Sequence, residues 1–408
     1  MSADDRVRSA RAWLTRALEP GSVDAWRYVE DAGPVLAVET LRSGVAPRAV
    51  QALVGARTEQ DTSGDDLWRA ERCGARLVVP EDDEWPAFAL HCLTVAGMQQ
   101  AAERAAGGKA VDRTQSLVPP LALWVRGDLR LDEAVDRSVA LVGSRASTAY
   151  GDHVAAEFAH GLGERGWTTL SGGAYGIDAA AHRGALAAGA PTVVVLACGV
   201  DRAYPASHSA LFARVLDGGL LVSEWPPGCA PLRHRFLVRN RLIAGLTRGT
   251  VVVEAAARSG ALATAHRARD LGRTVMAVPG PVTSAMSVGC HQLLRPSEQD
   301  SPPVLVASAA DIVETVGRVG EDLAPLPDRP SDPRDELTDV ARRVLDACPV
   351  RSGVPPERLA AVAGVAVVDV LRVLPALELA GLVEWTGTGW RIAPPPKPPG
   401  PGSSSRRR

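Results

Sequence analysis

Three glycine-rich turns carry the residues of this chain whose types and spacing could do chemistry. They lie at 142–145, 171–178 and 258–262, and each follows an apolar run with the composition of a strand. Glycine lets a backbone approach a ligand closely, and the N–H groups at a helix start attract anions. One such turn could be purely structural, but three at one sheet edge predict a surface that binds phosphate groups.

The candidate nucleic-acid-binding residues are small, cationic or aromatic side chains in and between these turns. They are Gly143, Ser144, Arg145, Ser171, Gly172, Gly173, Arg233, Arg235, Phe236, Arg239, Asn240, Arg241, Arg258, Ser259 and Gly260. Residues 233–273 contain nine arginines and two acids, a balance of +7 in a chain whose net charge is −2. We expect four arginines to line one groove that follows several phosphates, with Phe236 beside it to stack a base. These four are Arg145, Arg239, Arg241 and Arg258.

Several catalytic classes are disfavoured because their motifs are missing. Gly108-Lys109 is followed by alanine and does not follow a strand, so it is not a Walker A loop. There is no Gly-x-Ser-x-Gly elbow and no His-Glu-x-x-His motif. His182 has no ligand neighbours at metal spacing and is interpreted as a packing or capping residue, and Asp178 as a helix-start acid. The sequence therefore predicts no catalytic residue, no metal site and no cofactor.

Regular alternation of strands and helices must position these turns. Strands are predicted at 138–142, 167–170, 192–197, 219–223, 250–254 and 274–278. Helices are predicted at about 149–165, 177–188, 207–216, 238–247 and 260–272. Continuous Val/Leu-rich strands separated by helices indicate a parallel sheet covered on both faces, and such sheets bind ligands at the carboxyl ends of their strands. All the glycine-rich turns fall at that edge.

Other segments flank this α/β region. The predicted domains are a helical domain of the SAM or helix-hairpin-helix type at 1–65, the sheet domain at 66–318, a linker at 319–334, a winged helix at 335–393 and a disordered tail at 394–408. Within them, residues 60–66 read as a linker, 77–80 and 121–125 as strands, and 96–116 as a helical or flexible insertion. The third helix of the winged helix is expected at about 366–379, in a module whose net charge is −2.

Composition suggests a cytoplasmic protein with no membrane contact. The six cysteines are scattered and form no Cys-x-x-Cys pair, so neither a zinc site nor a disulfide framework is indicated. The N-terminus has no signal-peptide core, and no apolar run approaches the length of a membrane span.

Residues 139–294 resemble the DNA-processing protein A family, which is called DprA or Smf. The matching motifs keep their order and spacing over some 150 residues. They are Val142-Gly-Ser-Arg145, Tyr150-Gly151, Ser171-Gly-Gly-Ala-Tyr-Gly-Ile-Asp178, Ala181-His182, Tyr204-Pro205, Ser223-Glu-Trp-Pro226, Arg239-Asn-Arg-Leu-Ile-Ala-Gly245, Glu254-Ala255, Arg258-Ser-Gly-Ala-Leu262 and Ala277-Val-Pro-Gly280. Weaker likeness extends through 83–86 and 123–127 and into both flanking domains.

This resemblance implies an extended Rossmann-like, doubly wound, mainly parallel sheet that binds single-stranded DNA without hydrolysing a nucleotide. It also implies homodimers, and loading of the RecA recombinase onto incoming strands in natural transformation. Arg145 matches the family's DNA-contacting arginine, and Arg258 and the basic residues before Arg239 match other contact positions. The chain departs from the family at Ala206, where many relatives have lysine, at 289–291, and at 295–297, where the usual Gly-Ala is replaced.

The alternative from another class is a nucleoside-monophosphate phosphoribohydrolase on a related fold. Those enzymes need a Pro-Gly-Gly-x-Gly-Thr-x-x-Glu loop for phosphate binding and catalysis. The nearest segment, residues 259–264, has neither paired glycines nor a glutamate. We therefore expect a binding protein and not an enzyme.

Overall fold

The structure is a computed structural model of the 408-residue chain. It describes residues 4–54, 61–109, 111–295, 303–318, 320, 322, 334 and 337–394. The chain divides into two compact units, Met1–Ala324 and Pro325–Arg408.

A nine-stranded sheet is the framework of the N-terminal unit. Its strands are β1 (Ala75–Val78), β2 (Leu123–Arg126), β3 (Ser138–Gly143), β4 (Thr168–Ser171), β5 (Thr192–Val195), β6 (Leu220–Ser223), β7 (Gly249–Glu254), β8 (Thr274–Ala277) and β9 (Val304–Leu305). Their order is β1-β2-β6-β5-β4-β3-β7-β8-β9. β3 to β9 pair in parallel, while β1 and β2 add antiparallel at one side. The prediction of a mixed α/β protein with a large, mostly parallel sheet is confirmed.

Fourteen helices accompany this sheet in the described part of the unit. They are α1 (Asp5–Ala17), α2 (Val23–Ala32), α3 (Pro34–Ser43), α4 (Arg48–Val54), α5 (Ser63–Arg72), α6 (Ala87–Ala105), α7 (Leu131–Asp136), α8 (Ala149–Glu164), α9 (Ile177–Ala187), α10 (Ser209–Leu216), α11 (Arg233–Gly245), α12 (Gly260–Asp270), α13 (Val288–Leu294) and α14 (Ala309–Val316).

Both faces of the sheet are buried because its strands alternate apolar side chains between two cores. Val139 and Leu141 of β3 pack in one cluster with Phe158 of α8. Ala140 and Val142 point the other way, into a cluster that contains Leu242 of α11. The helices on the two faces thus hold the strand ends in fixed positions.

The chain reverses its direction of travel across the sheet at β3. It moves from β3 through β4 and β5 to β6 on one side, and later through β7 and β8 to β9 on the other. The loops after β3 and β7 therefore leave in opposite directions and open a crevice between them, which is where ligands of such sheets bind.

Three predicted segments differ from the structure. Residues 60–66 were expected to be a linker, but α5 begins at Ser63 because Asp66 is buried against Arg16, at 2.5 Å. Helix α6 begins at Ala87 and not near residue 96. Helix α11 begins five residues before the predicted 238, because Glu19 of the distant N-terminal segment binds Arg235 in its first turn, at 2.7 Å.

The C-terminal unit contains three helices and a two-stranded antiparallel sheet. They are α15 (Asp339–Ala347), α16 (Pro356–Ala363), α17 (Val367–Leu379), β10 (Val383–Trp385) and β11 (Trp390–Ile392). They enclose their own apolar cluster, which includes Val344, Leu359 and Leu374. The predicted tail at 394–408, except Pro394, and most of the predicted linker lie outside the described residues.

Within the described ranges no single helix is long and apolar enough to cross a membrane, and one bent pair, Pro356–Ala363 with Val367–Leu379, reaches that length and composition together.

Candidate nucleic-acid interface

A cavity of about 470 Å³ opens at the crevice between β3 and β7. The turn after β3 lines one side with Gly143, Ser144 and Arg145, and the start of α12 lines the other with Ser259 and Gly260. Helix α11 supplies Phe236, Leu237, Arg239 and Asn240. We call this cavity the switch-point groove. Its volume falls in the range of small-ligand sites, but it is open to solvent along the sheet edge.

The rim of the switch-point groove combines a free cation with aromatic rings. Arg145 is exposed and makes no salt bridge with the described residues. Its guanidinium carbon lies 5.5 Å from the centroid of the Phe236 ring, a cation–π distance. The Tyr204 ring lies 5.4 Å beyond Phe236 and is 46% exposed. A phosphate and a base could therefore be held side by side here.

The turn that carries Arg145 is fixed by its neighbours on both sides. Ser144 N–H donates to the Glu254 carbonyl of β7 at 2.8 Å, and Ile177 N–H donates to the Ser144 carbonyl at 3.2 Å. Gly176 has φ +72°, and a Cβ there would lie 2.3 Å from the Ser144 carbonyl oxygen. The glycine is thus required for the second turn to pack on the first, which holds the Arg145 backbone in place.

Arg239 lies on the floor of the groove and not on its surface. It is 5% exposed, and its Nη1 donates to the carbonyls of Gly172, at 2.8 Å, and Val195. Burial lowers the pKa of Arg239 to about 10, against the opposing effect of Asp178, so the guanidinium remains charged at neutral pH. Burial likewise raises the pKa of Asp178, and Arg239 opposes that rise. Arg239 therefore contributes a positive field from below instead of a direct contact.

Arg241 does not line the groove, contrary to expectation, and Arg235, another candidate nucleic-acid-binding residue, lies outside the lining as well. Arg241 is 1% exposed and forms a buried ion pair with Glu224 at 2.6 Å. Arg235 pairs with Glu19. Residues in a helix are 100° apart, so Arg239 and Arg241 point to faces about 200° apart and cannot share one groove. Both pairs hold α11 in place.

The second glycine turn is also mostly internal. Ser171 is buried, and its Oγ donates to the Leu141 carbonyl at 2.6 Å. A Cβ on Gly172 would lie 2.5 Å from Nη2 of Arg239, and one on Gly173 would lie 2.7 Å from the Phe212 ring. These glycines make room for packing, and the expectation that residues 171–173 contact a ligand directly is not supported by their burial.

Asn240 is an unpartnered polar side chain that faces the cavity. It is 8% exposed, lines the groove, and makes no side-chain hydrogen bond within the described part of the chain. The amide is therefore available to a molecule in the groove. Its donor and acceptor groups suit the edge of a base.

The remaining predicted cations lie nearby on the surface. Arg233 at the start of α11 and Arg258 before α12 are exposed, and neither forms a salt bridge among the residues described. Ser259 caps α12 by accepting from Ala261 N–H at 3.3 Å, and a Cβ on Gly260 would meet only open space. The helix start is therefore accessible to an anion.

Sequence reasoning missed Tyr204 as a site residue. Tyr204-Pro205 was noted only as a motif, although an aromatic residue in the loop after a parallel strand falls at the edge where ligands bind. His182, by contrast, is buried beside Thr192 at 2.7 Å, and burial lowers its pKa to about 3. In the described ranges no group of His, Cys, Asp and Glu is arranged to hold a metal ion.

Comparison with known proteins places this geometry in a family. The model of the DNA recombination-mediator protein A family matches residues 110–317. A DNA processing protein DprA of Mycobacterium tuberculosis (strain ATCC 25618 / H37Rv) is 47% identical over 386 residues, which cover 94% of each chain. Protein Smf of Escherichia coli (strain K12) is 41% identical over 198 residues, 48% of this chain and 51% of that protein.

A solved structure gives the same result. The crystal structure of DNA processing protein A from Streptococcus pneumoniae superposes with a TM-score of 0.60 and 28% identity, covering 78% of this chain and 100% of that one. Likeness in sequence therefore extends over almost the whole chain, and likeness in fold over most of it. This chain belongs to the DNA recombination-mediator protein A family.

Proposed function

We propose that this protein binds single-stranded DNA in the switch-point groove, protects the strand and loads a RecA-type recombinase onto it. The observation that carries the proposal is the exposed Arg145, which has no acid partner among the described residues and stacks on Phe236 at the groove rim. A free guanidinium beside an aromatic ring can neutralise a phosphate and stack the base attached to it.

The groove favours single strands over duplex. Stacking on Phe236 or Tyr204 needs an unstacked base, and the Asn240 amide needs a free base edge to pair with. Duplex DNA hides both, and only its phosphates would reach Arg145 and Arg258. Membership of a family of DNA recombination mediators supports the same substrate class.

A salt-titrated binding measurement tests this proposal. If about three to five phosphates are neutralised, log affinity for a single-stranded oligonucleotide should fall against log salt with a slope of roughly −2 to −4. Duplex of the same sequence should bind more weakly at every salt concentration. Equal affinity for both forms would contradict binding through stacked bases.

The recombination role requires partners. RecA recombinase is the proposed acceptor of the bound strand, and the protein is proposed to work as a homodimer. The edge strand β9 supports the second point, because Val304 and Leu305 are 40% and 53% exposed at the side of the sheet. An open edge with apolar side chains is a natural place for a second copy to add. Multi-angle light scattering on the full chain tests for the homodimer. A pull-down of the full chain with the recombinase tests for the RecA contact.

We propose no enzymatic activity at the groove. Asp178, the carboxylate in the groove lining, is 7% exposed and accepts a hydrogen bond from Ala174 N–H at 3.2 Å. Glu254, at the end of β7, accepts hydrogen bonds from Thr148 Oγ1 at 2.6 Å and Thr148 N–H at 2.9 Å. It is 1% exposed and therefore not placed to act as a general base on a groove ligand. This argues against the phosphoribohydrolase alternative as well.

The finer domain assignments remain part of the proposal. The helices before residue 65 form a SAM-like module, residues 66–318 an extended Rossmann domain, 319–334 a linker and 335–393 a winged helix. The order of three helices followed by a two-stranded antiparallel sheet in the C-terminal unit supports the last assignment. The six free cysteines support work in the reducing cytoplasm.

A further inference from the structure

Helix α5 presents an aromatic and cationic platform outside the switch-point groove. Trp68 is 54% exposed, and the Arg72 guanidinium carbon lies 4.8 Å from its ring centroid. Arg69 and Arg72 are exposed and have no salt bridge within the described residues. The combination of a free ring and unpaired cations is the one found at the groove rim, where Arg145 stacks on Phe236.

A series of contacts leads from the groove rim towards this platform. Tyr204 stacks beyond Phe236, and the loop that carries Tyr204 also holds Asp201. The Asp201 carboxylate accepts a hydrogen bond from Gly228 N–H at 2.9 Å, so the loop that carries Tyr204 contacts the backbone at Gly228. Next to Gly228 lies Arg69, whose Nη1 is 3.3 Å from the position that a Cβ of residue 228 would take.

On the surface of α5, a path that arrives from Gly228 meets Arg69 first and then Arg72 and Trp68. Relative to Trp68, Arg72 is rotated by about 40° and Arg69 by about 100° around α5, so Arg72 lies between them on the helix surface. The order along the surface is therefore Arg145, Phe236, Tyr204, Gly228, Arg69, Arg72 and Trp68. A cation with two rings lies at one end of this order and two cations with one ring lie at the other, and surfaces that bind single strands combine the same two kinds of side chain.

Helix α5 is held rigidly against the loop that enters α11. Arg16 pairs with Asp66 of α5 at 2.5 Å and donates to the Pro227 carbonyl at 2.9 Å from the same Nη2. Asp66 is 1% exposed, so this bridge is buried and its geometry is constrained. A platform fixed relative to the groove can bind one strand together with it at little entropic cost.

We infer that the single-stranded DNA footprint continues from the switch-point groove onto α5, where Trp68 stacks a base and Arg72 and Arg69 hold its phosphates. This inference rests on the proposed function of the groove. It adds to the binding surface helix α5, whose residues 66–72 belong to the predicted sheet domain and were not among the candidate nucleic-acid-binding residues. Long strands should therefore contact both places, and short strands the groove alone.

The test uses the full chain and compares oligonucleotides of about five and about twenty nucleotides. Trp68→Ala should weaken binding of the long strand about tenfold and leave the short strand unchanged. Trp68→Phe should restore most of the loss because it keeps a ring. Arg72→Ala should reduce the salt slope for the long strand by about one. Phe88→Ala, which removes a ring that is 80% exposed on α6 beside Arg248, is the matched control and should change neither affinity.

Each outcome has a distinct meaning. Failure of the unaltered chain to bind the short strand would sink the proposed groove function itself. Normal binding of the short strand with no effect of Trp68→Ala on the long one would overturn only the extension, and would leave Trp68 to a protein contact. An equal loss for both lengths would show that α5 acts through the fold of the groove, and also overturns the inference.

Discussion

At the scale of single residues, the role of each arginine depends on whether an acid reaches it. Arg235 and Arg241 are held by Glu19 and Glu224, while Arg145 stays free at the rim. Local sequence predicts that the stretch is basic, and this is correct. It cannot predict the pairing of Arg235 with Glu19, because the two residues are 216 positions apart and meet only when the N-terminal helices pack on α11.

Arg145→Ala is the sharpest test of the site at this scale. The guanidinium is exposed and unpaired in the described part of the chain, so its loss should leave the fold intact. We expect single-stranded DNA affinity to fall by about 1–2 kcal/mol and the salt slope to become shallower by about one, as for a lost phosphate contact. Fluorescence anisotropy at several salt concentrations measures both.

Arg214→Ala is the matched control for that substitution. Arg214 is exposed on α10, away from the groove, and removing it takes the same charge from the chain. A shallower slope in both variants would mean that the slope reports net charge and not a local contact. An unchanged slope in Arg145→Ala alone would remove Arg145 from the site.

At the scale of elements, the strands from β3 to β8 and the starts of α8, α9, α10 and α12 were predictable from the sequence, but the start of α11 was not. The six predicted Val/Leu-rich strands from β3 to β8 lie within two residues of their observed ends. Their composition alone sets these limits, since buried strands need continuous apolar runs bounded by glycine or polar residues. The start of α11 was missed because its first turn is basic and is stabilised by Glu19, which local propensity does not include.

Glu254 connects two elements, and this gives a prediction about stability. Its carboxylate at the end of β7 accepts two hydrogen bonds from Thr148, which itself caps α8. Glu254→Gln replaces one acceptor oxygen by an NH₂ group that faces a donor. We expect the free energy of unfolding to fall by about 1–3 kcal/mol, measured by urea denaturation. Neither form should turn over nucleotides.

Glu157→Gln on α8 provides the comparison. Glu157 is two-thirds exposed and pairs with His153 of the same helix, so the amide in its place should change stability very little. The structural role of Glu254 would be wrong if Glu254→Gln kept full stability. If the unaltered chain turned over nucleotides and Glu254→Gln did not, Glu254 would instead be catalytic.

At the scale of the whole molecule, connectivity was the least predictable feature. The alternation of strands and helices indicates a parallel sheet, but not that β1 and β2 extend it antiparallel beyond β6. That addition brings the N-terminal helices next to the loop before α11, where Arg16 and Glu19 make their buried contacts. Non-local strand order is set by packing between distant segments and has no local sequence signal.

The division into two units predicts which part of the chain binds which form of DNA. Residues 337–394 of the C-terminal unit contain six arginines and six acids. Four of these arginines have partners: Arg342 with the carbonyl of Leu337, Arg343 with the carbonyls of Ala363 and Gly364, Arg372 with Asp369, and Arg391 with Glu384. Most of the exposed residues of α17 are apolar, and Val368, Leu371 and Leu379 are 53%, 54% and 92% exposed. A helix of this kind lacks the free cations that drive entry into a duplex groove, and a protein contact suits it better.

We therefore expect a chain ending after Ala324 to keep its affinity for single-stranded DNA within about threefold, a change below roughly 0.7 kcal/mol. Truncation at that point retains Asp322, which is 7% exposed and pairs with Arg137.

Residues 335–393 alone should show no measurable duplex binding at physiological salt. The tail from 394 to 408 is left out because its three terminal arginines could bind DNA non-specifically at low salt. The measurement is a gel-shift series with the two pieces and the full chain on matched single- and double-stranded oligonucleotides. Tight, sequence-selective duplex binding by the tail-less C-terminal piece would reverse the assignment of the two units.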